Sequence, residues 1–306
     1  MILSHPSGPA AVWIDLVEPT GEEIETVRRT TGLRVPTEAQ VSEIESTSRL
    51  AFESGAFYLS APLATPPAGD ELRVVPVGFV LTAKVLVTVR FGPLASFDAA
   101  HEAATAHPPA DAAEALLRIF ELVVDRAADA FEHCAAACDE LAGAVFRERR
   151  GRSKRTGSLS AALRRIGDAA DKISRIRDEL LGLGRLCAYL MESGIAGAPT
   201  LDAARLKAIR ADITSLTDYE AHLSSKVQFL LDATLGFINI EQNEIVKTLT
   251  IASVAGIPPV LVAGIYGMNF RVMPELRWTL GYPFALALIL LSALVPLWWF
   301  KRRGWM

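Results

Sequence analysis

Short apolar runs typical of strands are confined to the first third of the chain. They lie at residues 11–17, 56–63, 73–80 and 84–90. Each is rich in β-branched and aromatic side chains and is bounded by turn residues, which predicts strands of one sheet. Residues 20–31 have helical spacing, and Thr20 followed by Glu23 has the spacing of a capping box. We therefore expect a mixed α/β domain over residues 1–108.

After Ala110 the apolar residues recur at helical spacing. The predicted helices cover residues 111–148, 158–192 and 201–246. A basic Gly/Ser-containing segment at 147–158 and a Gly/Pro-containing segment at 192–200 separate them, and we interpret the basic segment as a solvated turn. This pattern predicts a helical cytoplasmic region over 109–200 and hence an α+β protein.

Two uncharged apolar stretches near the C-terminus are long enough to cross a bilayer. They cover residues 248–267 and 283–300, and residues 268–282 join them. About twenty helical residues match a hydrocarbon core roughly 30 Å thick. We therefore expect a transmembrane hairpin.

Basic residues set the expected orientation of this hairpin. Lys247 precedes the first span, and a basic tail at 301–306 with Lys301, Arg302 and Arg303 follows the second. Cytoplasmic flanks are enriched in Lys and Arg, so both termini are expected in the cytoplasm of a multi-pass plasma-membrane protein, with loop 268–282 outside.

The first span continues a much longer predicted helix, residues 201–267. Its length is roughly 100 Å if it starts near Leu201 and nearer 75 Å if Thr217 and Glu220 cap a fresh helix. Heptad positions counted from Asp232 form one stripe along it. The stripe holds Asp232, Gly236, Asn239, Asn243, Val246, Thr250, Ser253, Ile257, Val260, Gly264 and Gly267. Such a stripe fits either a pore lining or close packing of transmembrane helices.

Composition narrows the function classes. The chain has 306 residues and a net charge of −4, which argues against bulk nucleic-acid binding. The N-terminus lacks an export signal, and three cysteines in a reducing compartment do not predict a disulfide framework. His133, Cys134 and Cys138 form a weak alternative metal site, since such cysteines in an Ala-rich helix usually pack.

The loop between the two spans carries the most specific motif. It reads Tyr266-Gly-Met-Asn-Phe270, then MPEL at 273–276, then Gly281-Tyr-Pro before the second span. In this position, with the basic tail beyond, the chain resembles the CorA magnesium transporters. The resemblance extends back through residues 226–251 and, more loosely, through the rest of the chain.

The resemblance implies a funnel-shaped homopentamer that carries Mg²⁺, and also Co²⁺ and Ni²⁺, without a prosthetic group and without enzymatic activity. It places an external selectivity filter at Gly267, Met268 and Asn269, supported by Tyr266 and Phe270. Asn269 is expected to hold hydrated Mg²⁺ through neutral amide oxygens, which bind weakly enough to allow release.

The stripe and the resemblance together give the expected lining of the rest of the pathway. The resemblance places Asp232, Asn243, Val246, Leu249 and Ile257 along the pore, with Asp232 as a candidate metal ligand, and the stripe adds Asn239, Thr250, Ser253 and Val260. Val246, Leu249 and Ile257 are the expected apolar constrictions, although Leu249 departs from the heptad stripe by one position. Intracellular Mg²⁺ is expected to gate the pore, with Asp212 and Asp218 as candidate regulatory ligands that a solvated helix face explains equally well.

Two other functions compete with Mg²⁺ transport. A Zn²⁺ transporter of the same fold is the nearer one, although MPEL favours the magnesium branch. The other is a cytoplasmic regulatory or enzymatic domain anchored by the hairpin. Residues 1–200 contain no nucleophile–base pair, phosphate-binding glycine loop or metal-ligand cluster that favours an enzyme.

Overall fold

A computed structural model of the chain describes residues 1–6, 8, 11–42, 50–65, 72–147, 155–192, 199–268 and 273–305. The strands in these ranges are β1 (Ile2–His5), β2 (Trp13–Val17), β3 (Leu50–Glu53), β4 (Ala56–Thr65), β5 (Arg73–Leu81) and β6 (Leu86–Arg90). The α-helices are α1 (Gly21–Thr31), α2 (Glu38–Ser42), α3 (Ala95–Ala106), α4 (Ala112–Arg147), α5 (Arg155–Glu192), α6 (Ala203–Tyr266) and α7 (Gly281–Arg302). The chain forms two compact units, residues 1–152 with 160–231, and residues 153–159 with 232–306.

The strands form one mixed sheet in the order β1-β2-β6-β5-β4-β3. β2 and β6 are parallel, with Trp13 opposite Leu86, and the other neighbours are antiparallel. All five residues of β6 are buried, as expected for a central strand covered on both faces. The four predicted strands are confirmed, whereas the prediction lacked the two edge strands β1 and β3.

Helices cover the sheet on both faces. On one face, Val27 of α1 and Val41 of α2 belong to an apolar cluster with Leu16 and Val89. On the other face, Phe79 packs against Phe97 of α3 and Phe120 of α4, with ring centroids 6.3 and 5.6 Å apart. These two apolar layers make the domain core.

A buried polar network joins β2, β6 and α3. The Asp15 carboxylate is fully buried and accepts hydrogen bonds from Thr88 Oγ1 at 2.6 Å and Arg90 Nε at 3.0 Å. His101 Nε2 lies 2.9 Å from the same carboxylate, and His101 Nδ1 lies 2.8 Å from His5 Nε2. Buried charges are tolerated when they are paired in this way. Because the paired residues lie on β2, β6 and α3, the network holds these three elements in register.

Local signals explain where the first helix begins and ends. Thr20 Oγ1 accepts from the Glu23 N–H and the Glu23 carboxylate accepts from the Thr20 N–H, which confirms the predicted capping box. Gly32 ends the helix with φ of +73°, a left-handed conformation that favours glycine. The prediction lacked α2 and α3.

Three long helices carry the rest of the first unit. Charged pairs tie α4 to α6: Arg205 makes two hydrogen bonds to Glu121, at 3.0 and 2.7 Å, and Lys226 contacts Asp139 at 2.7 Å. In α5 a Cβ at Gly182 would lie 2.9 Å from Pro62, so glycine permits the close approach of α5 to β4. The helical second half and its two apolar C-terminal helices are confirmed.

Candidate ion-conduction site

Helix α6 is continuous over 64 residues, from Ala203 to Tyr266. It is therefore about 96 Å long and begins two residues after the earlier of the two predicted starts, with no break at Thr217. Pro258 and Pro259 lie inside it without interrupting the helix. The helix thus continues without a break through the first apolar span.

Both C-terminal helices are long and apolar enough to cross a membrane. In the most apolar 18-residue window of α6 no residue is buried, and in that of α7 6% are. A core helix of a soluble protein would be mostly buried, so this exposure favours helices that meet lipid or other protein copies.

The predicted pore stripe lies uncovered on α6 in the single chain. Asp232, Asn239 and Asn243 are exposed, and Thr250 and Ser253 are half-buried. The apolar members Val246, Ile257 and Val260 are exposed, Val260 at 72%, and Leu249 beside the stripe is 66% exposed. Every residue of the stripe can therefore face a second copy, a lipid or a water-filled passage.

The polar stripe residues differ in what they offer an ion. Among the residues that the structure describes, neither Asn239 nor Asn243 has a side-chain hydrogen-bond partner, so both amide oxygens are free to accept. The Thr250 hydroxyl donates to the Val246 carbonyl at 2.8 Å. Its oxygen still has lone pairs for a cation or for the water around a cation.

The apolar stripe residues are not aligned on one line. At about 100° of rotation per residue, Ile257 lies within roughly 20° of Val246 around the axis, while Leu249 lies roughly 60° away from Val246. Leu249 therefore belongs at the edge of the stripe in a straight helix, as its departure from the heptad count indicates.

The structure describes the first two residues of the predicted filter, Gly267 and Met268, at the end of α6. Tyr266 is the last helical residue, and the Gly267 N–H donates to the Ala263 carbonyl at 3.0 Å. A Cβ at Gly267 would lie 3.2 Å from that carbonyl oxygen, which is a tight contact. Met268 is 52% exposed. Asn269 and Phe270 lie outside the described residues.

The candidate regulatory residues Asp212 and Asp218 are both exposed on α6. Burial, followed by the charges of Asp129, Glu121 and Asp212, raises the pKa of Asp125 on α4. Burial has the largest effect on the pKa of Asp125, which the sequence did not single out, and the charge of Asp212 has the smallest. Within the described ranges, no cluster of three or more His, Cys, Asp or Glu side chains could hold a metal ion in one chain.

The weak alternative site at His133, Cys134 and Cys138 does not form in the structure. His133 Nδ1 lies 3.0 Å from the Asp129 carbonyl, and the ring is exposed. Both cysteines are free and buried, and burial raises the pKa of each thiol. Cys187 is also free and buried.

The family of CorA-like Mg²⁺ transporter proteins matches residues 9–302 of the chain. The chain belongs to the CorA family. It is 32% identical over 299 residues to the magnesium transport protein CorA of Pasteurella multocida, covering 97% of this chain and 92% of that protein. The Escherichia coli magnesium transport protein CorA is 33% identical over 298 residues, with the same two coverages.

Solved structures share the CorA fold. The complete CorA magnesium transporter of Methanocaldococcus jannaschii superposes with a TM-score of 0.74 at 18% identity, covering 96% of this chain and 91% of that one. The full-length CmaX protein gives a TM-score of 0.67, also at 18% identity, over 95% and 87% of the two chains. The ZntB cytoplasmic domain of Vibrio parahaemolyticus gives 0.53 at 13% identity, over 78% and 98%. At such identities these likenesses establish the fold alone.

Proposed function

We propose that this CorA-type Mg²⁺ transporter is a homopentameric channel, not an enzyme, and that the stripe on α6 lines its pore. The observation that carries the proposal is the uninterrupted helix: one 64-residue rod presents free amides, a hydroxyl and then apolar side chains on one side. Two spans cannot enclose a pathway, so several copies about an axis are required.

Selection takes place at the outer end of α6. Gly267, Met268 and Asn269 form the filter, and five Asn269 amide oxygens hold Mg²⁺ with its hydration shell. Mg²⁺ loses water reluctantly, so neutral oxygens at the distance of the second shell suit it better than a carboxylate cage. Tyr266 and Phe270 support this loop without contacting the ion. Co²⁺ and Ni²⁺ pass the same filter.

The inner half of the pathway closes by excluding water. Rings of Val246, Leu249 and Ile257 narrower than a hydrated ion impose a barrier without a blocking residue. Asn239, Asn243, Thr250 and Ser253 keep the intervening levels wet. Asp232 attracts cations at the cytoplasmic end.

Intracellular Mg²⁺ holds the pore closed. A regulatory ion bound by Asp212 or Asp218 needs further oxygen ligands, and Asp125 of α4 is a candidate because it is near enough to Asp212 for that charge to raise its pKa slightly. Since no such cluster is complete within the described part of one chain, the remaining ligands come from a neighbouring copy.

The basic residues beside the spans support a topology with both termini in the cytoplasm. Lys301, Arg302 and Arg303 lie at the end of α7 and Lys247 lies before the first span, and cytoplasmic flanks of plasma-membrane proteins are enriched in such residues.

Uptake by purified protein in liposomes tests the proposal, with Mg²⁺, Co²⁺, Ni²⁺ and Zn²⁺ compared with and without a pH gradient. We expect Mg²⁺ entry without a pH gradient in the wild type, and none in Asn269→Ala at equal assembly. Zn²⁺ uptake alone would identify a zinc transporter, and no uptake of any ion would leave the hairpin as an anchor. Wild-type flux in Asn269→Ala would move the filter elsewhere.

A further inference from the structure

The end of α7 presents three successive cations. Lys301, Arg302 and Arg303 are exposed, and no carboxylate among the residues that the structure describes lies within ion-pair distance of them. A single positive charge at a helix C-terminus is explained by the helix dipole. Three successive cations exceed what that dipole requires.

Tryptophan rings hold the two guanidinium groups in place. Arg302 Cζ lies 5.3 Å from the Trp298 ring centroid, and Arg303 Cζ lies 5.2 Å from that of Trp299. These are cation–π contacts, which leave the N–H edges of each guanidinium free to donate. Trp298 and Trp299 are 60% and 48% exposed, so the indoles form an open apolar surface directly beside the charges.

The residues that follow α7 form a C-terminal capping motif, which adds a third indole to this surface. The Trp305 N–H donates to the Phe300 carbonyl at 3.0 Å and the Gly304 N–H to the Lys301 carbonyl at 3.2 Å, while Gly304 has φ of +71°. These bonds form a Schellman motif, and its usual hydrophobic contact is the Trp305 ring stacked on Phe300 at 5.4 Å. Trp305 thus packs on Phe300, whose ring also contacts that of Trp299 at 5.3 Å.

We propose that Arg302, Arg303 and the three tryptophans bind the headgroup of an anionic phospholipid. Guanidinium groups match the phosphate oxygens of a lipid in bidentate geometry, and indoles prefer the boundary between acyl chains and headgroups. The apolar residues of α7 place this surface at the membrane boundary. The site goes beyond the proposed transport function and depends only on α7 crossing a bilayer, whichever leaflet its end reaches.

Lipid binding to the full-length protein in mild detergent tests the site, by native mass spectrometry during titration with phosphatidylglycerol or phosphatidylcholine. We expect the wild type to retain phosphatidylglycerol more tightly. The double variant Arg302→Gln/Arg303→Gln should lose about thirtyfold in that affinity, as expected for two basic residues removed from an anionic surface. Arg277→Gln, at the other end of the hairpin, is the matched control and should retain it.

Two further measurements distinguish a lipid site from a free-phosphate site and from attraction by charge alone. Glycerol phosphate at the same concentrations should not displace the lipid, since it lacks acyl chains; equal competition would identify a free-phosphate site and overturn the proposal. Arg302→Lys/Arg303→Lys keeps the charge but removes the planar group that stacks on the indoles, and we expect intermediate affinity. Equal retention of both lipids by the wild type, which requires no variant to fold, would contradict the site outright, as would an unchanged double glutamine variant.

Discussion

At the scale of single residues, Glu179 of the first unit has a buried carboxyl group that is costly to ionise. It lies on α5, is only 4% exposed and lines a cavity with Ala64 of β4. Burial raises the pKa of its carboxyl from 4.5 to about 8, and a hydrogen bond from the Ala64 backbone offsets this only in part. The folded protein therefore holds a proton there that the unfolded chain releases above about pH 4.5.

This proton makes stability depend on pH in a defined direction. Because the folded pKa is raised, the contribution is complete below the unfolded pKa and is lost as pH rises to about 8. Glu179→Gln does not titrate and should be more stable than wild type by about 2–4 kcal/mol at pH 8.5, with little difference near pH 4.5. Thermal unfolding of the detergent-solubilised protein at both pH values measures this, with exposed Asp178→Asn as control. If the stabilities of wild type and Glu179→Gln changed in parallel between the two pH values, Glu179 would not hold the extra proton.

Leu249 is the residue on which the proposed gate depends most. If it forms an apolar ring, Leu249→Asn should wet the ring and raise Mg²⁺ entry severalfold when internal Mg²⁺ is high and the wild type is closed. Ile251→Asn is a matched control, about 160° away around the helix.

The measurement is Mg²⁺ entry per assembled channel at low and high internal Mg²⁺. If Leu249 only packs between helices, the variant should lower expression without raising flux per channel. Equal closure in Leu249→Asn and wild type would remove Leu249 from the gate.

At the scale of elements, the seating of α2 on the sheet depends on one glycine in β5. A Cβ at Gly78 would lie 3.1 Å from Val41 of α2 and 2.9 Å from both the Pro36 and the Val89 side chains, which is too close without movement. Gly78→Ala should therefore destabilise the domain by about 1–3 kcal/mol.

Gly167 supplies the matched control, since it lies in the middle of α5 with no atom within 4 Å of an added Cβ. Gly167→Ala should stabilise by about 0.5–1 kcal/mol, because alanine loses less conformational entropy in a helix. Thermal unfolding of both variants decides. A Gly78→Ala variant as stable as Gly167→Ala would show that α2 moves aside without cost.

The elements found from sequence are those with a strong local signal. The capping box of Thr20 and Glu23 and the four apolar strand runs all depend on neighbours in sequence. Strands β1 and β3 have only four residues each, and α3 is an Ala-rich helix whose N-cap Leu94 makes no side-chain capping bond. Such elements form because of tertiary contacts, which a local pattern does not contain.

The buried polar residues show the same limit. Asp15 and Arg90 each interrupt an apolar run. The two residues pair with each other, although they lie 75 residues apart in sequence. A single sequence shows that each is out of place in its strand and not which residue compensates for it. The effect of the Asp212 charge on the pKa of Asp125 is equally non-local.

At the scale of the whole molecule, the two apolar helices and the motif between them determine the family assignment. No residue of α6 from Leu235 to Tyr266, a range that the structure describes in full, is buried in the single chain. Lipid can cover the apolar positions, but free amides such as Asn243 require water or other copies. The central claim is therefore that this face of α6 surrounds a water-filled pathway in the assembled channel.

Chemical modification of introduced cysteines tests that claim most directly, because the three native cysteines are buried and should not react with the reagent. Cys134, Cys138 and Cys187 are buried, and burial raises the pKa of each thiol, that of Cys187 to about 12. Cysteines introduced at Asn243 and at Gln242 place a thiol on and off the stripe, about 100° apart. Both native residues are exposed amides in the single chain.

The measurement is Mg²⁺ uptake before and after treatment of open channels with a cationic methanethiosulfonate reagent. The account predicts that modification of Asn243→Cys blocks uptake, while Gln242→Cys is unaffected even when mass spectrometry shows complete labelling. Complete labelling of Asn243→Cys with unchanged Mg²⁺ uptake would contradict the pore assigned to this face of α6.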